Sequence, residues 1–118
     1  MTHLQILHHT IYRHDDPSAD WVVFLHGAGG SSATWFKQVR FFKPHFNLLL
    51  IDLRDHGKSK DPLRAERPYT MESLVEDIIE VVDAVKIDRA HFMGLSVGTI
   101  LLRHLVETHP SRVISAIH

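Results

Sequence analysis

Apolar positions along the chain fall into two kinds of pattern, short solid blocks and helical stripes, and the two alternate. Trp21-Val22-Val23-Phe24-Leu25 and Leu48-Leu49-Leu50-Ile51 are continuous apolar runs, the form expected of strands buried on both faces. The first ends in His26-Gly27-Ala28-Gly29-Gly30, a glycine turn, and Ser31 and Ser32 then offer N-caps. Trp35, Phe36, Val39 and Phe42 recur at helical spacing until Pro44 stops them. After Ile51 comes Asp52-Leu53-Arg54-Asp55-His56-Gly57-Lys58-Ser59, then a polar, proline-containing loop through Pro68. From Thr70, the residues Met71, Leu74, Val75, Ile78, Val82 and Val85 form one face of a helix, with Glu72, Glu76, Glu80 and Asp83 toward solvent. Ala90 to Leu95 is a third buried strand, Val97 to about His109 a helix stopped by Pro110, and Val113 to Ile117 a fourth strand. Leu4 to Tyr12 alternates loosely and suggests one or two opening strands.

Strands alternating with helices imply right-handed crossovers and an α/β fold: a mostly parallel sheet with helices on both faces. In such sheets ligands sit at the carboxyl ends of the strands. The glycine turn after Leu25, the segment after Asp52 and the turn around Ser96 all fall at that edge, which makes one site the natural expectation.

Composition narrows the partners. With 118 residues, 44% hydrophobic and 23% charged, the chain has the make-up of one folded globular domain. Thirteen basic against fourteen acidic residues give a net charge of -1, with no basic block to attract nucleic acid or a membrane surface. A small-molecule partner is expected. There is no cysteine, hence no disulfide framework and no thiolate chemistry. The first residues lack a charged n-region followed by a long apolar run, so a cytoplasmic address is expected.

The chemistry centres on Gly94-Leu95-Ser96-Val97-Gly98. A serine on a sharp strand-to-helix turn is lifted clear of the sheet, but the turn crowds the backbone unless the residues two before and two after are small. Gly94 and Gly98 meet that demand, and the strand before and helix after supply the context that the G-x-S-x-G elbow requires. Val97 begins the helix, so its unpaired N–H lies beside Ser96 and can donate to an oxyanion. The second donor is expected from the glycine turn, with the Ala28 N–H as candidate and Gly27 and Gly29 letting the backbone approach a substrate. His26, at the end of a strand expected beside that of Ser96, is read as orienting this turn through hydrogen bonds. Asp52 and Arg54 are read as fixing the loop after their own strand.

Through FLHGAGGSSATW, LLLIDLRDHGKS and HFMGLSVGT, the chain resembles the N-terminal half of an α/β-hydrolase fold protein, from about Trp21 to His118. The resemblance implies about six of that fold's eight strands, a serine nucleophile, half the oxyanion hole in the first turn, and no cofactor. Substrates of such enzymes are esters, thioesters, amides or carbon–carbon bonds beside a carbonyl. Relatives with an aspartate nucleophile, the dehalogenases and epoxide hydrolases, need a carboxylate where Ser96 stands. One departure is Asp55, where glycine is usual.

Rival motifs fail on detail. Gly27-Ala28-Gly29 with Asp52 imitates a dinucleotide fingerprint, but its third glycine would fall on Ser32. Gly57-Lys58-Ser59 imitates the end of a P-loop whose first glycine would fall on Asp52. Eleven histidines raise the question of a metal, yet His104 and His109 are five apart on one helix, and His3, His8, His9 and His14 lie on a strand-like opening. No metal site is expected.

A serine needs a base held by an acid, in the chain order Ser, Asp or Glu, His. Only His104, His109 and His118 follow Ser96, and the first two belong to a helix leading away from the active edge. His118 ends a strand at the right edge, but the resemblance takes the base from a loop two strands further on. The expectation is therefore that residues 1–118 form the N-terminal half of a single domain, with the acid, the base and a helical lid lying outside them. Taken alone, such a fragment is expected to be inactive. Its Val113 to Ile117 strand would be an apolar edge that pairs with a complementary C-terminal fragment or with another copy of the chain.

Overall fold

A computed structural model describes residues 5–117; Leu4, His3 and His118 of the sequence reading lie outside them. Five strands form one sheet in the order β1-β3-β2-β4-β5: β1 (His9–Tyr12), β2 (Trp21–Leu25), β3 (Asn47–Ile51), β4 (Ala90–Gly94) and β5 (Val113–Ile117). β1 runs antiparallel to β3, and every other pairing is parallel. β2 and β3, at the centre of the sheet, are buried on both faces, which is why they are written as solid apolar runs, whereas β4 is buried at alternate positions and β5 only in part. The opening segment contributes a single strand, so five strands stand where about six were expected. Residues before His9 bond to loops instead: the His8 N–H donates to Ser59 Oγ at 2.8 Å, and Arg64 donates to the Gln5 carbonyl at 2.9 Å.

Helices cover the two faces unequally. On one face lie a 3-10 turn (Ser32–Trp35) and α1 (Phe36–Phe42), where Trp35 packs on Val22, Phe24, Leu48 and Leu50. Ser31 is the cap of this turn, joined to Thr34 in a reciprocal capping box. Phe36 departs from the expected stripe and is 65% exposed, because the 3-10 turn gives the inward direction to Trp35, and Val39 and Phe42 follow it. On the other face, α3 (Met71–Ala84) and α4 (Val97–Thr108) pack on Val23, Leu25, Leu49, Ile51 and Phe92. Thr70 caps α3 by accepting the Ser73 N–H at 3.1 Å.

The loop after β3 is more structured than its composition suggested. It contains a one-turn helix, α2 (Pro62–Ala65), capped by Asp61, and its Arg64 is buried. Asp77 of α3 is buried as well, between two guanidiniums: Arg54 bonds both of its oxygens at 2.9 and 3.1 Å, and Arg64 one of them at 2.6 Å. Arg54 also donates to the Pro68 carbonyl and to Ser73 Oγ, so its charge is fully engaged. Glu80, expected to face solvent, instead accepts from Arg67 at 2.8 Å and is partly covered.

Asp55 has φ 63°, the left-handed conformation that a glycine adopts without strain. The loop therefore keeps the shape expected of a glycine despite the substitution. Replacing it should relieve the backbone: Asp55→Gly is expected to raise stability by ~0.5–1 kcal/mol, read as a higher midpoint in thermal or urea unfolding. At the far edge, β5 has no neighbour on its outer side among the described residues and exposes Ile114 and Ile117 at 40% and 45%. In isolation the chain is expected to self-associate through this edge, and Ile114→Lys to shift it toward monomer. Light scattering after size exclusion checks this, and a stable, monodisperse monomer of the unaltered chain contradicts it.

Candidate active site

Ser96 stands between β4 and α4 with φ 56° and ψ -119°, a combination that non-glycine residues avoid. Holding it there costs on the order of 1–3 kcal/mol, so the surroundings must over-determine it. They do so through close backbone approach. The Leu95 N–H donates to the Leu25 carbonyl at 3.1 Å, and the Gly98 N–H turns back to the Leu95 carbonyl at 2.9 Å. A Cβ on Gly94 would stand 2.7 Å from the Gly98 carbonyl oxygen, and one on Gly98 would collide with the Leu25 and His26 carbonyls. Both glycines of the elbow are thus required by space.

The glycine turn lies directly against the serine: a Cβ on Gly27 would be 3.0 Å from Ser96 Cβ and 3.6 Å from its Oγ. Residues 27–30 form a four-residue turn closed by the Gly30 N–H on the Gly27 carbonyl at 3.0 Å, with Gly29 at φ 76°. Ala28 at its tip and Ser96 are both exposed. No acceptor among the described residues takes the N–H of Ala28 or of Val97. Two backbone donors and a hydroxyl therefore share one edge of the sheet, with the start of α4 adding its positive dipole end.

His26 is buried and engaged at both nitrogens: Nδ1–H donates to the Gly27 carbonyl at 2.7 Å, and Nε2 accepts the Leu53 N–H at 2.9 Å. These two bonds tie the turn to the loop after β3. Burial holds the imidazole below its ordinary value of 6.5; the bond to Gly27 opposes that shift, the neighbouring His56 adds to it, and Asp52 opposes it. Asp52 accepts the Ser32 N–H at 2.7 Å and hydroxyl at 2.6 Å on one oxygen, and the Lys58 N–H at 3.0 Å on the other. Burial alone would raise its carboxyl, but the Ser32 hydroxyl and the two N–H groups outweigh it and hold it below the usual carboxylate value. His56, to which the sequence assigned no role, accepts the Gly29 N–H at 3.0 Å. Nothing in its spacing distinguishes it from the other histidines; only the folded loop brings it to the turn.

No imidazole among the described residues bonds Ser96. A Ser-His-Asp chain does occur at Ser115–His91–Asp20, at 2.7 and 3.3 Å, but Asp20 places it at the opposite end of the strands. His104 lies 3.7 Å from Glu72 between α3 and α4, and His109 bonds Thr108. Cavities of about 410 and 550 Å³ open beside Gln5–His8 and beside α1, and neither includes Ser96. Among the described residues no helix is long and apolar enough to cross a membrane.

A parallel sheet carrying a strained serine at a glycine-flanked strand-to-helix turn, with a glycine turn alongside, defines an α/β hydrolase architecture. The sequence model of the alpha/beta hydrolase fold matches residues 20–118, and the chain belongs to that family. It is 31% identical over 109 residues to a putative carbamate hydrolase, RutD, of Caulobacter sp., covering 91% of this chain and 39% of that protein. It is 33% identical to 3-oxoadipate enol-lactonase 1 of Acinetobacter baylyi, over 69% of this chain and 29% of that protein. Among solved structures, the enol-lactonase of Burkholderia xenovorans superposes with a TM-score of 0.85 at 34% identity, covering 93% of this chain and 41% of that one. The chain thus spans about two fifths of the length of such relatives.

The depressed His26 sets the sign of a pH effect. Its contribution to stability is complete above the ordinary imidazole value of 6.5 and is lost as pH falls through the lowered folded value, because the unfolded chain then binds the extra proton. Asp52, also depressed, loses its contribution further toward acid. The thermal midpoint is expected to fall as pH is lowered from about 7.5 to 5, within the range where imidazoles titrate, and to fall less steeply in His26→Gln. Parallel slopes for the two proteins would contradict this.

Proposed function

We propose that Ser96 is the nucleophile of a serine hydrolase acting by acyl transfer, with carboxylic esters as its substrate class. The observation that carries this reading is the strained Ser96 held beside two backbone N–H groups that have no other acceptor among the described residues. In this mechanism Oγ attacks the carbonyl carbon, a base takes the hydroxyl proton, and the Ala28 and Val97 N–H groups receive the developing oxyanion. Each such donor is worth roughly 2.7–4 kcal/mol in the transition state. Collapse expels the alcohol protonated by the same base and leaves an acyl-enzyme, which water then cleaves. No described histidine bonds Ser96; in this reading the base and its acid lie outside residues 1–118, which alone are inactive.

A lactone is a cyclic ester, so the enol-lactonase relatives support the ester reading. The RutD relatives favour carbamate hydrolysis as a second reading, since the same attack and oxyanion serve that carbonyl. Thioesters and carbon–carbon bonds beside a carbonyl use the same groups. A receptor or scaffold that keeps the fold without turnover is the non-enzymatic alternative.

A fluorophosphonate probe tests the proposal. Labelling is expected at Ser96 when both halves of the domain are present, and none in Ser96→Ala, with turnover of simple esters reduced by at least ~10³-fold in that variant. Absence of label from a sample containing both halves would sink the serine hydrolase reading and leave the receptor. A panel of ester, lactone, carbamate and thioester substrates then separates the classes.

A further inference from the structure

We infer that His56 is a positioning residue for the glycine turn, setting the direction of the Ala28 N–H through a single hydrogen bond to Gly29. The inference rests on the reading of that turn as half of an oxyanion site.

The tip of the turn has little else to hold it. Ala28 and Gly29 are exposed, and a Cβ added at Gly29 would meet nothing within 4 Å, so packing does not fix its place. Two hydrogen bonds do: the Gly30 N–H on the Gly27 carbonyl closes the turn, and the Gly29 N–H reaches His56 Nε2 at 3.0 Å. The second selects the orientation of the peptide between Ala28 and Gly29. Turned over, that peptide would present the Ala28 carbonyl oxygen to the lone pair of Nε2, which repels it. Fixing the peptide on one side of Ala28 constrains the residue whose other peptide supplies the candidate oxyanion donor.

His56 can act this way because its tautomer is set. Nδ1 lies 2.9 Å from the Arg54 carbonyl, an acceptor only, so Nδ1 carries the proton and Nε2 presents its lone pair to Gly29. His26 makes the converse link with the same tautomer, from the turn back to the Leu53 N–H of the loop. The two rings lie 5.1 Å apart, each accepting a backbone N–H from the other's segment. Arg54, whose carbonyl orients His56, is itself anchored on buried Asp77. The positioning chain runs from α3 through the β3 loop to the turn beside Ser96.

Two measurements test this on the 118-residue chain. In uniformly ¹⁵N-labelled protein, a trans-hydrogen-bond ¹⁵N–¹⁵N coupling is expected between the Gly29 amide and His56 Nε2, together with an unprotonated Nε2 shift. In the labelling assay with both halves present, phosphonylation of Ser96 is expected to slow about tenfold or more in His56→Phe, below the ~10²–10³ attached to losing a whole oxyanion donor. Partial recovery is expected in His56→Gln, whose amide oxygen can accept the same N–H. Absence of the coupling in otherwise dispersed spectra overturns the inference, as does a His56→Phe rate equal to that of the unaltered protein. A coupling present in protein that never labels at Ser96 supports the anchoring of the turn and overturns its catalytic purpose together with the serine hydrolase reading.

Discussion

Everything at the active edge depends on how closely α4 is allowed to approach the end of β2. Gly98 sits where any side chain would run into the carbonyls of Leu25 and His26, and Gly94 sits under the first turn of the same helix. Because neither carries a Cβ, α4 can start immediately after β4, and the chain must reverse within Leu95 and Ser96 to do so. That reversal forces Ser96 to φ 56°. The strain stays local because the parallel pairing of β2 with β4 continues one step beyond the strands, in the Leu95 N–H on the Leu25 carbonyl. The same approach brings the glycine turn after β2 against Ser96, so a single packing contact sets both the hydroxyl and the turn beside it.

The tip of the glycine turn, Ala28 and Gly29, is exposed backbone, and the β3 loop supplies its rigidity. Three acceptors and donors cross between them: Asp52 to the Ser32 hydroxyl and N–H, His56 to the Gly29 N–H, and the Leu53 N–H to His26. The loop in turn is fastened to α3 by Arg54 on Asp77. Burying two guanidiniums on one carboxylate contributes little net stability, because desolvation offsets the attraction. Its effect is geometric: Arg54 also closes on the Arg67 and Pro68 carbonyls, so residues 54–68 have a defined path across the end of the sheet.

Local pattern accounts for what was legible in the sequence. Solid apolar runs marked β2 and β3, shorter apolar segments marked β4 and β5, the 3.6-residue stripe and Thr70 marked α3, and the glycines around Ser96 lie where a Cβ would meet backbone. Less visible were features made by partners distant in sequence. Asp77 falls inside the apolar stripe of α3, and its burial is made tolerable by arginines distant in sequence, above all Arg54 and Arg64, 23 and 13 residues earlier. His56 is one of eleven histidines until the loop folds. Phe36 matched the helical stripe, yet a 3-10 turn ahead of α1 rotated it outward, a change of pitch that apolar spacing does not encode. The resemblance to the hydrolase fold added the order of the catalytic groups, which spacing alone does not provide.

Several features show which groups the described residues leave open. His26 and His56 are each bonded at both ring nitrogens and committed to the turn and its loop, while His91 is tied to Ser115 and Asp20 away from the active edge. The Trp35 indole N–H is buried without an acceptor among the described residues, on the face that carries only the short α1. A buried donor left unmet costs about 1–3 kcal/mol, a cost that an added acceptor on that face would remove. On the proposed mechanism this division has a physical sense. Groups that stabilise charge must be rigid before substrate arrives, and here they are fixed by close backbone contacts within one half of the sheet. The base must only reach Ser96 Oγ, and a loop from a second half can bring it there without disturbing the turn that receives the oxyanion.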